Sequence, residues 1–247
     1  MLINGNRKDP KEAKIWYYGG SYGTALGQTI ATLFPHRIGR MLLDSVLDPD
    51  IYYNGTWLGN IADSDASMQD FFQKCHQAGS KYCPVHANST RDVERRVRAI
   101  IESIRKQPLQ VSEGVPYPKA VNYGTLNAWM LLNGYGQSTF PQLAAGLRSI
   151  EEGNGSSVAF PIVGFTQIGL SLLANSHISC LDAAGRGQIA DYDDFVLRAR
   201  RFHDVSPWVG ASSYSTVSGC IGRDIRPVPS QIIHGNSPIL IVHFLRI

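Results

Sequence analysis

The chain has 247 residues, 43% hydrophobic, 17% charged and 10% aromatic, a balance far from that of sequences that stay disordered. Twenty-three Lys and Arg against 20 Asp and Glu leave a net charge of +3, and these charges are scattered, so no nucleic-acid footprint is expected. A chain of this length supports one or two domains with a core that needs no staples.

The first predicted element is a buried strand, Lys14-Ile-Trp-Tyr-Tyr18, apolar and aromatic and closed by Gly19-Gly20 as before a tight turn. After Tyr22, the residues Ala25, Leu26, Thr29, Ile30 and Leu33 recur at steps of three and four up to Phe34-Pro35. This predicts an amphipathic helix stopped ahead of the proline. Met41-Leu-Leu43 is a second strand candidate, ending at Asp44, and Asp48-Pro49-Asp50 reads as a turn. Strand, turn, helix and strand in that order follow the crossover logic of a parallel α/β sheet.

Beyond residue 50 helices are expected at Ala66 to Ala78, Arg91 to Lys106, Tyr123 to Leu132, Phe140 to Glu152 and Tyr192 to His203. In the second of these, Val93, Val97, Ile100, Ile101 and Ile104 form one apolar stripe. The nearly apolar stretch from Ala159 to Ala174 is interrupted by Pro161, glycines and Gln167 and falls short of the about 20 apolar residues of a membrane span, so none is expected. Pro238-Ile-Leu-Ile-Val242, behind the turn signal Gly235-Asn236, returns to strand character. The expected organisation is a sheet-based core from residues 1–50 and 226–247, with a helical insertion over 51–225.

Four cysteines form an even set, which allows three pairings, and sequons stand at Asn54-Gly-Thr56, Asn88-Ser-Thr90 and Asn154-Gly-Ser156. Together they predict an exported glycoprotein, although residues 1–10 lack the apolar stretch of a secretory signal. No His-x-x-x-His or Cys-x-x-Cys spacing occurs, so neither a metal nor a cofactor is expected. The sequence sets no oligomeric state.

Gly19-Gly20-Ser21-Tyr22-Gly23 carries Gly-x-Ser-x-Gly with Gly19, Ser21 and Gly23 at the fixed positions. A nucleophile elbow needs a strand before it, a helix after it and flanking glycines because the turn is sharp, and all three are predicted here. In that arrangement Ser21 Oγ is the nucleophile and the Tyr22 backbone N–H an oxyanion donor at a helix N-terminus.

The run Ile15-Trp-Tyr-Tyr-Gly-Gly-Ser-Tyr-Gly-Thr24, then Leu33-Phe-Pro-His-Arg-Ile38 and Leu42-Leu-Asp-Ser-Val-Leu-Asp-Pro49, resembles the tripeptidyl-aminopeptidase-like, prolyl-aminopeptidase-related branch of the α/β-hydrolases. Phe71-Phe-Gln-Lys-Cys75 with Gly79 and Cys83, Ile178-Ser-Cys-Leu-Asp182 and Ser237-Pro-Ile-Leu-Ile241 fall in the same order. The resemblance implies an α/β fold, a partial α/β-hydrolase sheet bearing a large helical cap. It also implies a secreted serine exopeptidase acting on a free amino end, with a peptide as substrate. It pairs Cys75 with Cys83 and Cys180 with Cys220. Where that family continues into the loop bearing its triad Asp, this sequence reads His243-Phe-Leu-Arg-Ile247. The triad acid and base are therefore unassigned, and the expectation is a fragment truncated at both ends and inactive by itself.

Two other functional readings fit the same residues. The same elbow serves carboxylic-ester hydrolases, with a small ester as substrate, and a non-catalytic remnant or binding module would keep the cap. Asp44, at the end of the second strand, is a stand-in acid only against the commoner use of such a residue in a turn or cap. Trp57, Trp129 and Trp208 are either lining for a substrate pocket or plain core.

Overall fold

A computed structural model describes residues 2–4, 13–112, 118–163, 174, 176–183 and 189–221. Residues 226–247, with the strand expected at Ile239 to Val242, lie outside the described residues. What is described is mostly helical with two small sheets, compatible with part of an α/β fold. The chain divides into two compact units: one comprises the described residues up to Thr56 together with 179–183, the other Trp57–Ile178 and the described residues from 189 on.

In the first unit, β2 (Lys14–Gly20) lies between β1 (Leu2–Asn4) and β3 (Ile38–Asp44). β1 runs antiparallel to β2 with Leu2 opposite Trp16, and β3 runs parallel to it with Tyr17 opposite Met41 and Gly20 opposite Asp44. Parallel strands need a crossover, supplied here by α1 (Tyr22–Leu33). The buried face of α1 is Thr24, Ala25, Gly27 and Gln28, whereas Leu26 and Leu33 of the expected apolar stripe are exposed. Close approach explains the difference: a Cβ on Gly27 would stand 2.7 Å from Leu43 Cδ2 and 2.8 Å from Tyr17 Cε1, so only glycine lets the helix sit this near the sheet. Asp48-Pro49-Asp50 is the start of a helix, α2 (Pro49–Tyr53), rather than a plain turn. The Asp48 carboxylate accepts from the N–H groups of Asp50 and Ile51 at 2.9 and 3.3 Å, and Pro49 fills the first helical position.

The second unit holds α3 (Ser64–Ala78), α4 (Thr90–Lys106), the antiparallel ribbon β4 (Leu109–Val111) and β5 (Lys119–Val121), α5 (Tyr123–Asn133), α6 (Phe140–Glu151), α7 (Ser156–Val163), α8 (Tyr192–Val205) and α9 (Gly210–Ser218). Caps set the helix starts where expected: Ser89 accepts from the Asp92 N–H at 3.1 Å, Asn122 from Thr125 at 2.9 Å and Asp191 from Asp194 at 2.9 Å. The stripe Val93, Val97, Ile100, Ile101 and Ile104 is buried, with Phe71, Phe72, Phe140 and Leu147 in the same core. Phe72 packs edge-on against Trp208 at 5.1 Å, and Trp129 and Trp208 are core residues, while Trp57 is half-buried. Asn127 is buried and satisfied, donating to the Trp208 carbonyl and accepting from the Ser212 N–H at 2.7 Å. Cys75 and Cys83 form a disulfide closing the turn after α3; Cys180 and Cys220 are also disulfide-bonded, and no cysteine is free.

Candidate functional site

A turn with positive φ falls at Ser21, between the end of β2 and the start of α1. Its φ of 51° and ψ of −121° place a non-glycine residue in a sparsely populated conformation. Ser45, just past the end of β3, has a φ of 55°, so two positive-φ serines stand at the carboxyl ends of adjacent parallel strands. Open α/β sheets bind their ligands outside this end.

The strained turn is held from several sides. The Ser21 N–H donates to the Asp44 carbonyl at 3.0 Å, and the Ser21 carbonyl accepts from both the Thr24 N–H at 2.9 Å and Thr24 Oγ1 at 2.7 Å. Thr24 Oγ1 in turn accepts from the Leu47 N–H at 2.9 Å, and Gln28 Nε2 donates to the Leu47 carbonyl at 3.1 Å, tying the elbow to the segment after β3. Tyr17 reaches under the turn and donates its hydroxyl to the Gly23 carbonyl at 2.6 Å. Gly19 is required here: a Cβ on it would stand 2.5 Å from the Gly23 carbonyl oxygen and 2.5 Å from Tyr17 Cε1.

Ser21 is exposed, and among the described residues no side chain is bonded to its Oγ. The backbone N–H groups of Tyr22 and Gly23, at the head of α1, have no acceptor among the described residues, the state in which such groups are available to an anion. Asp44 does not cap a helix: its carboxylate accepts from the Tyr18 hydroxyl at 3.3 Å and Ser45 Oγ at 3.5 Å. His36, the one histidine of this unit among the described residues, lies at the other end of the sheet, where its carbonyl accepts from Lys14 Nζ. His234 and His243 lie outside the described residues. In the second unit His76 Nδ1 bonds the Ala87 carbonyl at 3.0 Å and its ring stacks on His86.

Beside the elbow stands a cluster of tyrosines about one carboxylate. Asp182, from a helical segment over 176–182, accepts on the same oxygen, Oδ2, from the Tyr22 hydroxyl at 3.1 Å and the Tyr52 hydroxyl at 2.7 Å. The Tyr22 and Tyr52 ring centroids are 5.8 Å apart, and Tyr53 meets Tyr52 edge-on at 5.1 Å while bonding Thr29. Burial, then the Asp182 carboxylate, pushes the Tyr22 phenol up to about 12. Burial foremost and the Asp182 bond also raise Tyr52, and burial raises Tyr53. Among the described residues no three His, Cys, Asp or Glu side chains are grouped to hold a metal ion. No helix among them is long and apolar enough to cross a membrane.

Of the residues singled out from sequence, Gly19, Ser21, Tyr22 and Gly23 come together in one turn. Asn54, Asn88 and Asn154 are all exposed. Thr24, Gln28 and Tyr17 were missed as parts of the site; two polar residues four apart in a predicted helix were the available signal for the first two. Asp182 stands in the run Ile178-Ser-Cys-Leu-Asp182 singled out from sequence, but its contact with Tyr22, 160 residues away, carried no signal.

No protein-family model matches the chain. It is similar to the tripeptidyl aminopeptidase of Streptomyces lividans, 32% identical over 95 residues that cover 28% of this chain and 18% of the relative. It is also similar to the serine protease Hip1 of Mycobacterium tuberculosis, 20% identical over 216 residues covering 82% of this chain and 39% of the protease. Both distant relatives are peptidases by name, and one is named a serine protease. The chain thus spans well under half the length of the curated relatives it matches.

Proposed function

We propose that this protein is a serine peptidase of the exopeptidase type, with Ser21 as its nucleophile. The observation that carries the reading is the Ser21 backbone, held at positive φ between a parallel strand and a helix, with Gly19 packed on the Gly23 carbonyl. The names of the distant relatives support peptides as the substrate class. Ser21 Oγ attacks the scissile carbonyl, and the Tyr22 N–H at the head of α1, without an acceptor among the described residues, donates to the oxyanion that forms. Residues 1–50 and 226–247 belong to the hydrolase core in this reading and 51–225 to a helical cap that limits access to peptide ends, except that 51–56 and 179–183 group with the unit carrying Ser21. The exposed sequons and the disulfides support secretion as a glycoprotein, which loss of mass on enzymatic deglycosylation would register.

The test is a fluorophosphonate probe applied to the protein in an extract of its native source. Mass spectrometry should find the tryptic peptide Ile15 to Arg37 labelled on Ser21, and Ser21→Ala should abolish the label. A native protein that takes up no label would overturn the serine-hydrolase reading. Cleavage of peptides with a free amino end, with acetylated ones spared, is expected of the exopeptidase; hydrolysis of simple esters alone would replace it with an esterase.

A further inference from the structure

We infer that Asp182 is a positioning residue for the Ser21 site, acting through Tyr22; this rests on the reading of Ser21 as the nucleophile. The residue after the nucleophile has two tasks in such a turn: its N–H must face the developing oxyanion, and its side chain must stay clear of the approach. Tyr22 is 40% exposed, and among the described residues the hydrogen bond of its hydroxyl goes outside α1, to Asp182. Asp182 Oδ2 takes the Tyr22 hydroxyl at 3.1 Å and, at 2.7 Å, that of Tyr52, which is only 2% exposed. The buried tyrosine serves as the fixed post and the half-exposed one is tethered to it through a shared acceptor.

Asp182 is itself well anchored. Ala183, next to it, is buried and donates its N–H to the Ser179 carbonyl at 3.0 Å, and Cys180, two residues back, is buried and disulfide-bonded. Tyr52 belongs to α2, the helix capped by Asp48 directly after the strand that holds the Ser21 N–H. The clamp therefore joins the elbow, the α2 segment and the 179–183 segment at one carboxylate. A group placed this way contributes by keeping the oxyanion donor in register, and small misplacements of such a donor cost up to about a hundredfold in rate.

The variants Asp182→Ala, Asp182→Asn, Tyr22→Phe and Tyr52→Phe, made at native length, separate this role from a structural one. The readout is the second-order rate of Ser21 labelling by an uncharged fluorophosphonate, with a thermal melt on each variant so that only folded protein is compared. Asp182→Ala is expected to slow labelling about tenfold or more, and Tyr22→Phe about three- to tenfold. Asp182→Asn keeps a carbonyl oxygen with two lone pairs for the same two hydroxyls, so its rate should fall no more than about threefold. If Asp182→Ala does not fold, Tyr22→Phe, which removes one exposed hydroxyl, decides in its place. Folded variants that all label at the wild-type rate would overturn the inference while leaving the nucleophile in place. Equal losses in Asp182→Asn and Asp182→Ala would also overturn it, because charge rather than geometry would then be what the site uses. A wild-type protein that does not label removes the nucleophile and the inference together.

Discussion

In the helical unit Phe71, Phe72, Met68, Leu143 and Leu147 are essentially without solvent exposure, and the helices are placed by what those side chains fill. In the elbow unit Gly19 is the one fully buried residue of β2 and β3. Trp16, Tyr18 and Leu42 on the sheet are 39%, 63% and 51% exposed, and the close approaches are those of Gly19 to the Gly23 carbonyl and of Gly27 to the Tyr17 and Leu43 side chains. One unit is specified by apolar volume and the other by permitted backbone conformations and hydrogen bonds. The difference teaches that a candidate site can be strict about single atoms while the region carrying it is poor in buried apolar surface. Substitutions that remove volume should hurt the helical unit most, whereas in the elbow unit the sensitive change is one carbon added at Gly19 or Gly27.

The largest effect is expected from Phe72→Ala. Its ring is fully buried and packs on Trp208 at 5.1 Å, so truncation should cost about 3–5 kcal/mol in a denaturant melt of the helical unit. A loss below about 1 kcal/mol would show that volume does not specify this unit. Next is removal of the Cys75–Cys83 disulfide by a double Ser substitution, which releases a loop of sequence separation 8. Chain entropy puts that at about 2–3 kcal/mol, measured as the midpoint shift with the other cysteines intact.

Gly19→Ala sharpens the comparison from the other side. One methyl meets the Gly23 carbonyl oxygen and Tyr17 Cε1 at 2.5 Å, so the turn must open, at about 1–3 kcal/mol. The consequence for Ser21 is expected to exceed that for stability: fluorophosphonate labelling should fall about a hundredfold while the helical unit melts unchanged. Unaltered labelling in a folded Gly19→Ala protein would detach the close approach from the chemistry.

How much of this was legible in the sequence follows the same division. The helices of the second unit announce themselves through apolar periodicity and polar caps, and α4 is a clear case, with Ser89, the stripe from Val93 to Ile104 and Arg105-Lys106 in the last turn all in place. The strand, turn and helix around Ser21 were legible because the glycines and serine are adjacent in the chain. The supports of that turn were less so. The buried face of α1 is polar and small, with Thr24 and Gln28 bonded to the Leu47 segment, and periodicity scored on apolar residues selects Leu26 and Leu33 instead. Asp48 reads equally well as a turn residue or a cap until the following N–H groups are located. The short strands β4 and β5, three residues each, carry too little pattern to register. Asp182 acts across the chain, and one sequence holds no record of such a contact.

The smallest effects are electrostatic, and they set the two units against each other in pH. In the helical unit Glu151 accepts from Arg96 at 2.8 and 2.7 Å and from Arg148 at 2.7 Å, and the Arg96 bond foremost lowers its carboxyl below the usual range. A lowered carboxyl contributes stability above its unfolded value, and that contribution is lost as pH falls below about 4. Glu151→Gln should therefore cost about 1 kcal/mol at neutral pH and flatten the acid limb of the melt. In the elbow unit the sign reverses. Tyr22, raised to about 12, and Tyr52, raised further by burial, stay protonated in the fold where the unfolded chain has begun to ionise. Their contribution is complete below pH 10 and declines as pH climbs from about 10 to 12. A probe in each unit should thus report different limbs, acid for the helices and alkaline for the elbow, with Tyr22→Phe easing the alkaline limb alone. If both limbs moved together in either variant, the two units would melt as one, and the contrast between volume and backbone would have to be redrawn as a property of the whole chain.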